Sequence, residues 1–191
     1  MGQRLVIELI DGNENTIAAV YYHWSAYFGS TIAELATLSK DILKAKKDKK
    51  DILPAVLDGL ERRGGGLGVN PRNYAEAQKR FPGRTFKQDI SRNDGLLYLG
   101  EEEIKETIDM AEGLAAIYID LEEVTNDVTY LTYSEYLDVD YGEGYTVIDG
   151  KRIDISADEM TMEECIRLND FFEEIFQEKM KKYNQREAEK V

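Results

Sequence analysis

The segment Arg4–Tyr22, RLVIELI-DGNEN-TIAAVYY, decides how the fold begins. Residues 4–10 and 16–22 are rich in the β-branched, aromatic and long aliphatic side chains that suit a half-buried strand. Between them, residues 11–15 consist of Asp, Gly, Asn and Glu, which is the chemistry of a tight turn. The segment therefore predicts a β-hairpin.

Helical and strand-like patterns alternate after this hairpin. Thr31-Ile32-Ala33-Glu34 has the spacing of a capping box and predicts a helix from Thr31 to about Lys46. Further helices are predicted at 51–61, 71–80, 101–110 and 158–185. Further strands are predicted at 96–99, 115–121, 128–133, 145–148 and 152–155. The last two of these strands flank an Asp149-Gly150 turn, which is typical of a hairpin. The last helix carries an apolar stripe made of Met162, Cys165, Ile166, Phe172, Ile175, Phe176 and Tyr183. We expect an α+β fold, an antiparallel sheet built from hairpins with helices packed against it, in a single domain over residues 1–191.

Composition narrows the functional classes. The chain has 191 residues and a formal net charge of −14, without an apolar run long enough to span a membrane. No secretory signal is recognised, so a cytoplasmic location is expected (host cytoplasm if the protein is phage-encoded). A single cysteine, Cys165, and a single histidine, His23, exclude an intramolecular disulfide and a multi-histidine metal centre. We expect no metal, no cofactor and no catalytic motif.

The charge is distributed unevenly along the chain. Residues 62–92, an internal excursion of the domain, hold eight basic residues against Glu76 and Asp89. Residues 101–143 hold fourteen acidic residues against Lys105. An acidic surface repels nucleic acid and anionic membranes, so neither is an expected direct partner. A confined basic pocket for a small anion stays possible.

Aromatic residues cluster where the hairpin ends. Within residues 21–28, YYHWSAYF, lie the only histidine and the only tryptophan of the chain. Alternation along a strand places Tyr22 and Trp24 on one face and Tyr21 and His23 on the other. Two interpretations stay open: packing in the core, or a surface on which a base or another flat ring stacks, with Tyr22, His23, Trp24 and Tyr27 as ligand-binding residues.

These residues also carry a family resemblance. The Met1-Gly2-Gln3-Arg4 start, the strand–turn–strand segment and the motif Tyr21-x-x-Trp24-x-x-Tyr27 resemble a group of bacterial and phage proteins over about the first 45 residues. The variant in this chain is most similar to the phage and prophage members. The resemblance implies an accessory phage protein of the kind that counters host defence, and it implies no catalytic role.

A glycine- and arginine-rich segment offers a second candidate site. Residues 62–68, RRGGGLG, followed by Asn70-Pro71-Arg72, match neither the phosphate-binding loop of nucleotide hydrolases nor the dinucleotide fingerprint. Backbone amides and guanidinium groups nonetheless suit a phosphate. The candidate ligand-binding residues here are Arg62, Arg63, Gly64, Gly65, Gly66, Arg72 and Arg84. The alternative is a mobile loop whose arginines pair with the acidic second half of the chain.

Three functional hypotheses follow. The first is an anti-defence binding protein that sequesters a small, phosphate-bearing, nucleotide-derived ligand. The second is an acidic inhibitor or nucleic-acid mimic that binds a basic host defence protein through Glu101, Glu102, Glu103, Glu122 and Glu123. The third is a hydrolase that uses His23 with Arg4 and an acid that the sequence does not place. A homo-oligomer is possible in each case.

Overall fold

The computed structural model describes residues 4–23, 28–64, 66–88, 94–120, 127–135, 145–148, 151–154 and 157–188. The strands in these residues are β1 (Leu5–Asp11), β2 (Thr16–Tyr22), β3 (Gly68–Val69), β4 (Asp94–Tyr98), β5 (Gly113–Asp120), β6 (Asp127–Glu135), β7 (Tyr145–Ile148), β8 (Lys151–Asp154) and β9 (Ala157–Met160). The helices are α1 (Phe28–Lys47), α2 (Leu53–Gly64), α3 (Tyr74–Arg80), α4 (Glu101–Asp109) and α5 (Met162–Ala188). A 3₁₀ turn, Pro71–Asn73, leads into α3.

The predicted first hairpin is confirmed. Strands β1 and β2 are antiparallel, with Leu5 opposite Tyr22. In the turn, the Asp11 carboxylate accepts hydrogen bonds from the backbone N–H groups of Asn13 and Asn15, each 2.9 Å long. The side chains of the turn therefore fix the register of the two strands.

The α+β class is confirmed, but the prediction of an antiparallel sheet is wrong, because the sheet is mixed. The strand order is β3-β4-β2-β1-β5-β6-β9, and β7 and β8 pair separately. Strand β1 is parallel to β5, and β3 is parallel to β4. The physical reason lies in β1, whose residues Leu5–Ile10 are all buried. A strand that is buried on both faces suits an interior, parallel position in a sheet.

The sheet has a heavily covered face and a lightly covered one. Leu5, Leu9 and Tyr22 belong to the large core cluster, which includes buried residues of α1, α2 and α5. Val6 and Ala19 belong to a small cluster on the other face, which they share with Ile104 of α4. Helices α1, α2 and α5 therefore pack on the heavily covered face of the sheet, and α4 packs on the lightly covered face.

The starts of four helices, α1, α2, α3 and α5, differ from the sequence prediction. Helix α1 begins at Phe28, so Thr31 and Glu34 lie inside the helix and the predicted capping box is wrong. A capping box is present at α5 instead. The Thr161 amide donates to Glu164 Oε2 at 2.8 Å, and the Glu164 amide donates to Thr161 Oγ1 at 3.2 Å.

The last predicted helix also starts too early. Residues Ala157–Met160 form β9, in which Met160 lies opposite Leu131 of β6. The predicted stripe of α5 is buried at Met162 and Cys165, but Phe176 and Tyr183 are exposed. The Asp149-Gly150 turn lies outside the described residues. Within those residues, none of the helices combines the length and apolar character needed to cross a membrane.

Candidate functional site

The glycine- and arginine-rich segment forms the end of a helix. Arg62 and Arg63 lie in the last turn of α2, which ends at Gly64. The Gly66 amide donates to the Glu61 carbonyl at 2.9 Å, the bond that closes a helix C-terminus in the Schellman motif. Gly65 lies outside the described residues. The C-terminal end of a helix carries partial negative charge, whereas phosphate prefers the N-terminal end.

Carboxylates surround three of the candidate arginines. Arg62 pairs with Asp41 of α1, and Arg63 pairs with Glu34 at 3.8 Å. Arg84 contacts Asp58 and Glu61 of α2. The alternative interpretation of this segment, arginines paired with acidic residues, describes these contacts, but the acids come from α1 and α2 rather than from the acidic second half. Arg72 is exposed on the 3₁₀ turn.

Tyr22 lies in the interior of the protein. Its ring is fully buried, and its hydroxyl donates to the Leu60 carbonyl at 2.7 Å. The guanidinium of Arg63 lies 5.7 Å from the ring centroid. The cavity beside these two side chains holds about 10 Å³, the room of about one water molecule. Ligand pockets hold roughly 300–1,000 Å³, so this position has no space for a base.

Tyr21 and His23 point to the opposite face, as strand alternation predicts. The Tyr21 hydroxyl and His23 Nδ1 are 2.8 Å apart. The His23 backbone amide donates to Asp94 Oδ1 at 2.7 Å. This carboxylate holds the backbone of His23 through that bond. Trp24 and Tyr27 lie outside the described residues.

Arg4 lies beside the same end of the sheet. Its guanidinium and its backbone amide both donate to the Glu112 carboxylate, with the Arg4 Nε to Glu112 Oε2 distance at 3.2 Å. Burial raises the pKa of Tyr21, and the charge of Arg4 acts against that rise. Arg4, Tyr21, His23, Asp94 and Glu112 thus form a polar cluster, named here the sheet-end cluster.

Helix α4 presents the acidic surface. Glu102, Glu106 and Asp109 are exposed and lie four and three residues apart, so they share one face of the helix. Ile104 and Thr107 are buried on the other side. The first turn contains Glu101, Glu102 and Glu103, which the positive end of the helix stabilises. Sequence analysis named those three acids but missed Glu106 and Asp109, which helical spacing indicates.

Ion pairing distinguishes α4 from the arginine segment. Among the residues that the structure describes, no carboxylate of α4 forms an ion pair. Glu103 accepts a hydrogen bond from the Asn73 side chain at 2.8 Å. Glu122 and Glu123, the other predicted acids, lie outside the described residues. The exposed charge of α4 is therefore available to a partner.

A groove runs beside α4. It has a volume of about 600 Å³ and lies between α4 and the β1–β2 turn. Leu99 and Ile104 line it with apolar surface. Arg80 and Lys105 contribute positive charge to the groove, and Glu14 and Glu101 contribute negative charge. Arg80 is held by Glu76 at 2.8 Å and by the Ile17 carbonyl. The groove is large enough for a protruding side chain of a partner protein.

Comparisons with protein-family models, with curated proteins and with solved structures find no match for this chain. Within the described residues, no three His, Cys, Asp or Glu side chains are grouped to hold a metal ion. The surfaces described above are therefore the features that indicate a function. The assignment of the eleven predicted ligand-binding residues to one site stays a prediction.

Proposed function

We propose that this protein is an acidic binding protein that docks α4 onto a basic surface of a protein that handles nucleic acid. The observation that carries the proposal is the contrast in ion pairing. Arg62, Arg63 and Arg84 are matched by carboxylates within the chain, whereas the α4 carboxylates lack such partners in the described structure. The charge left for a partner at these two surfaces is negative.

The arrangement of charge on α4 supports this function. Glu102, Glu106 and Asp109 lie on one face, and like charges at that spacing repel each other. Asp109 also lies in the last turn, where the helix dipole disfavours negative charge. A basic partner surface would relieve both effects. Electrostatic complementarity of this kind accelerates association and selects the partner.

The class of partner follows from the chemistry. A row of carboxylates on a helix presents negative charge at regular intervals, as a phosphate backbone does. Basic grooves that evolved to bind phosphates therefore offer the matching surface. The resemblance of residues 1–45 to phage proteins favours a host defence enzyme that acts on DNA or RNA as the partner.

Competition for such a groove tests the proposal. Purified host nucleases and restriction-type enzymes are loaded with a short fluorescent DNA duplex, and the protein is titrated in while fluorescence anisotropy is recorded. We expect displacement of the duplex at low salt. Direct binding of the fluorescently labelled protein to the same enzyme, without DNA, should weaken at least tenfold when salt is raised to about 0.5 M, because salt screens the contact. The variant Glu102→Lys/Glu106→Lys/Asp109→Lys should displace the duplex at least tenfold less well.

A matched control separates the location of the charge from its amount. The variant Asp48→Lys/Glu163→Lys/Asp170→Lys changes net charge equally, at exposed positions outside α4. It should retain displacement of the duplex. Equal losses in the two variants, or full activity of the α4 variant, would overturn the assignment to α4.

Capture of a small phosphate-bearing ligand is a second candidate function, favoured by the sheet-end cluster. Tyr21 is the partly exposed aromatic ring of β2, and the hydroxyl of Tyr21 and the imidazole of His23 lie together near Arg4. Calorimetric titration with mononucleotides and cyclic dinucleotides tests this function. Binding that Arg4→Gln and Tyr21→Phe each weaken at least tenfold would support it, and heat signals unchanged in these variants would exclude this cluster.

A further inference from the structure

The C-terminal half of α5 is exposed on all sides. Every residue from Phe176 to Arg186 is exposed, although the first turns of the same helix pack in the core through Met162 and Cys165. These exposed residues span roughly 16 Å of helix. They are named here the α5 tail. A regular helix of this length needs other support when its own domain does not cover it.

An apolar stripe runs along the α5 tail. Phe176, Met180 and Tyr183 are 58%, 40% and 59% exposed, and their spacing of four and three residues places them on one side of the helix. Cys165 and Phe172 lie on the same side, eleven and four residues before Phe176. The stripe that packs into the core at the start of α5 therefore continues beyond it.

Charge along α5 indicates what covers this stripe. Residues 173–179 contain Glu173, Glu174 and Glu178 against Lys179, a net charge of −2. Residues 180–186 contain Lys181, Lys182 and Arg186, a net charge of +3. Two parallel copies would place like charges side by side. Two antiparallel copies would place the acidic part of each helix against the basic part of the other.

We infer that the α5 tail pairs with the α5 tail of a second copy in an antiparallel, two-fold symmetric dimer. With the symmetry axis between Lys179 and Met180, Phe176 lies opposite Tyr183 of the second copy. The same axis places residues 173–179 opposite residues 180–186. An isologous contact of this kind closes at two subunits. The inference is independent of the α4 surface.

The proposed contact is small. The exposed parts of Phe176, Met180 and Tyr183 amount to about 100 Å² each. The stripe of two copies thus buries about 600 Å², below the roughly 1,200 Å² of a standard interface even when flanking residues add to it. We therefore expect a dimer with a Kd in the micromolar range, about 1–100 μM, weakened by salt.

Sedimentation of the full chain across protein concentration tests the dimer. We expect a monomer–dimer equilibrium that weakens severalfold between about 0.05 M and about 0.5 M salt. Phe176→Ser/Tyr183→Ser should weaken the dimer at least tenfold. The control Gln177→Ser/Gln185→Ser, on exposed positions away from the stripe, should leave it unchanged. Circular dichroism confirms that each variant stays folded.

A spin label on the variant Ala188→Cys, in a Cys165→Ala background, tests the orientation of the two helices. An antiparallel pair separates the two labelled positions by about 27 Å. A parallel pair places them at the same height on helices whose axes are about 10 Å apart, so the label distance is much shorter. A monomer at every concentration, a dimer that survives the Phe176/Tyr183 variant, or the short label distance would each overturn the inference. So would a monomer whose tail binds phosphatidylglycerol vesicles, because the stripe would then face lipid.

Discussion

The guanidinium of Arg63 lies 5.7 Å from the centroid of the Tyr22 ring, inside the protein. These two residues are the candidate phosphate-binding and base-stacking side chains that the structure brings together. The Arg63 side chain is 11% exposed, and its guanidinium also pairs with Glu34 of α1. The contact joins β2, α1 and α2, so it supports the packing of two helices on the sheet.

Replacing Arg63 by alanine should destabilise the fold. Loss of a desolvated cation–π contact and of the Glu34 pair should lower the free energy of unfolding by about 1–3 kcal/mol. Arg62→Ala is the matched control, since Arg62 pairs with Asp41 on an exposed surface, where such pairs contribute about 0–1 kcal/mol. Urea denaturation measures both. Equally small losses in the two variants would show that Arg63 is not structural.

Gly66→Ala should destabilise the end of α2. Gly66 has a φ of +133°, and a Cβ atom there would lie 2.3 Å from Lys87 Nζ. The backbone strain should cost about 1–3 kcal/mol, whereas the flexible end of the exposed Lys87 side chain can move aside. The double variant Gly66→Ala/Lys87→Ala keeps the backbone strain, so thermal unfolding should show little recovery. Wild-type stability of the single variant would contradict this conformation.

The sequence predicted local structure better than sheet topology. The β1–β2 hairpin and α4 were predicted because their signals are short-range: the Asp11 carboxylate binds amides two and four residues ahead, and acids begin α4. The parallel pairing of β1 with β5 was not predicted, because it joins segments about 100 residues apart in the sequence. Residues 158–160 of β9 were assigned to the last helix, because their strand conformation depends on pairing with β6, which the local sequence does not indicate.

The candidate sites show the same division. Alternation along β2 correctly separated Tyr21 from Tyr22, but it did not indicate which of the two faces the large core. The partners of Arg62, Arg63 and Arg84 come from α1 and α2, and no short-range pattern connects them. These three arginines are therefore matched by carboxylates that lie more than 20 residues away in the sequence.

Cys165 should make the fold labile at alkaline pH. Burial raises the pKa of the Cys165 thiol from 9.0 to about 11, against an opposing hydrogen bond with Ser39. The unfolded chain ionises first, so this contribution to stability is complete below about pH 9 and declines as pH rises towards 11. At pH 10 the loss should be about 1 kcal/mol.

Urea denaturation between pH 7 and 10 measures this decline, with Cys165→Ala as the comparison. The variant has a constant cost from the cavity it leaves, so the slopes with pH are compared rather than the absolute values. The slope should be shallower in Cys165→Ala. Parallel slopes would show that the thiol is not protected by burial. The native thiol should also react slowly with iodoacetamide at pH 8 and rapidly once the protein is unfolded.

Thr161→Ala should loosen the start of α5, where Thr161 and Glu164 cap the helix reciprocally. The Thr161 amide, followed by its hydroxyl, lowers the pKa of Glu164. A carboxyl with a lowered pKa contributes stability above its unfolded pKa, and this part is lost as pH falls through the folded value.

Loss of the threonine cap should cost about 1 kcal/mol. Hydrogen exchange at the amides of residues 161–165 should accelerate, while exchange in β1 and β2 stays as in the wild type. Thr37→Ala is the control, because Thr37 bonds the Ala33 carbonyl on an exposed helical face and caps nothing. If the two variants lose equal stability, the α5 capping box contributes nothing of its own.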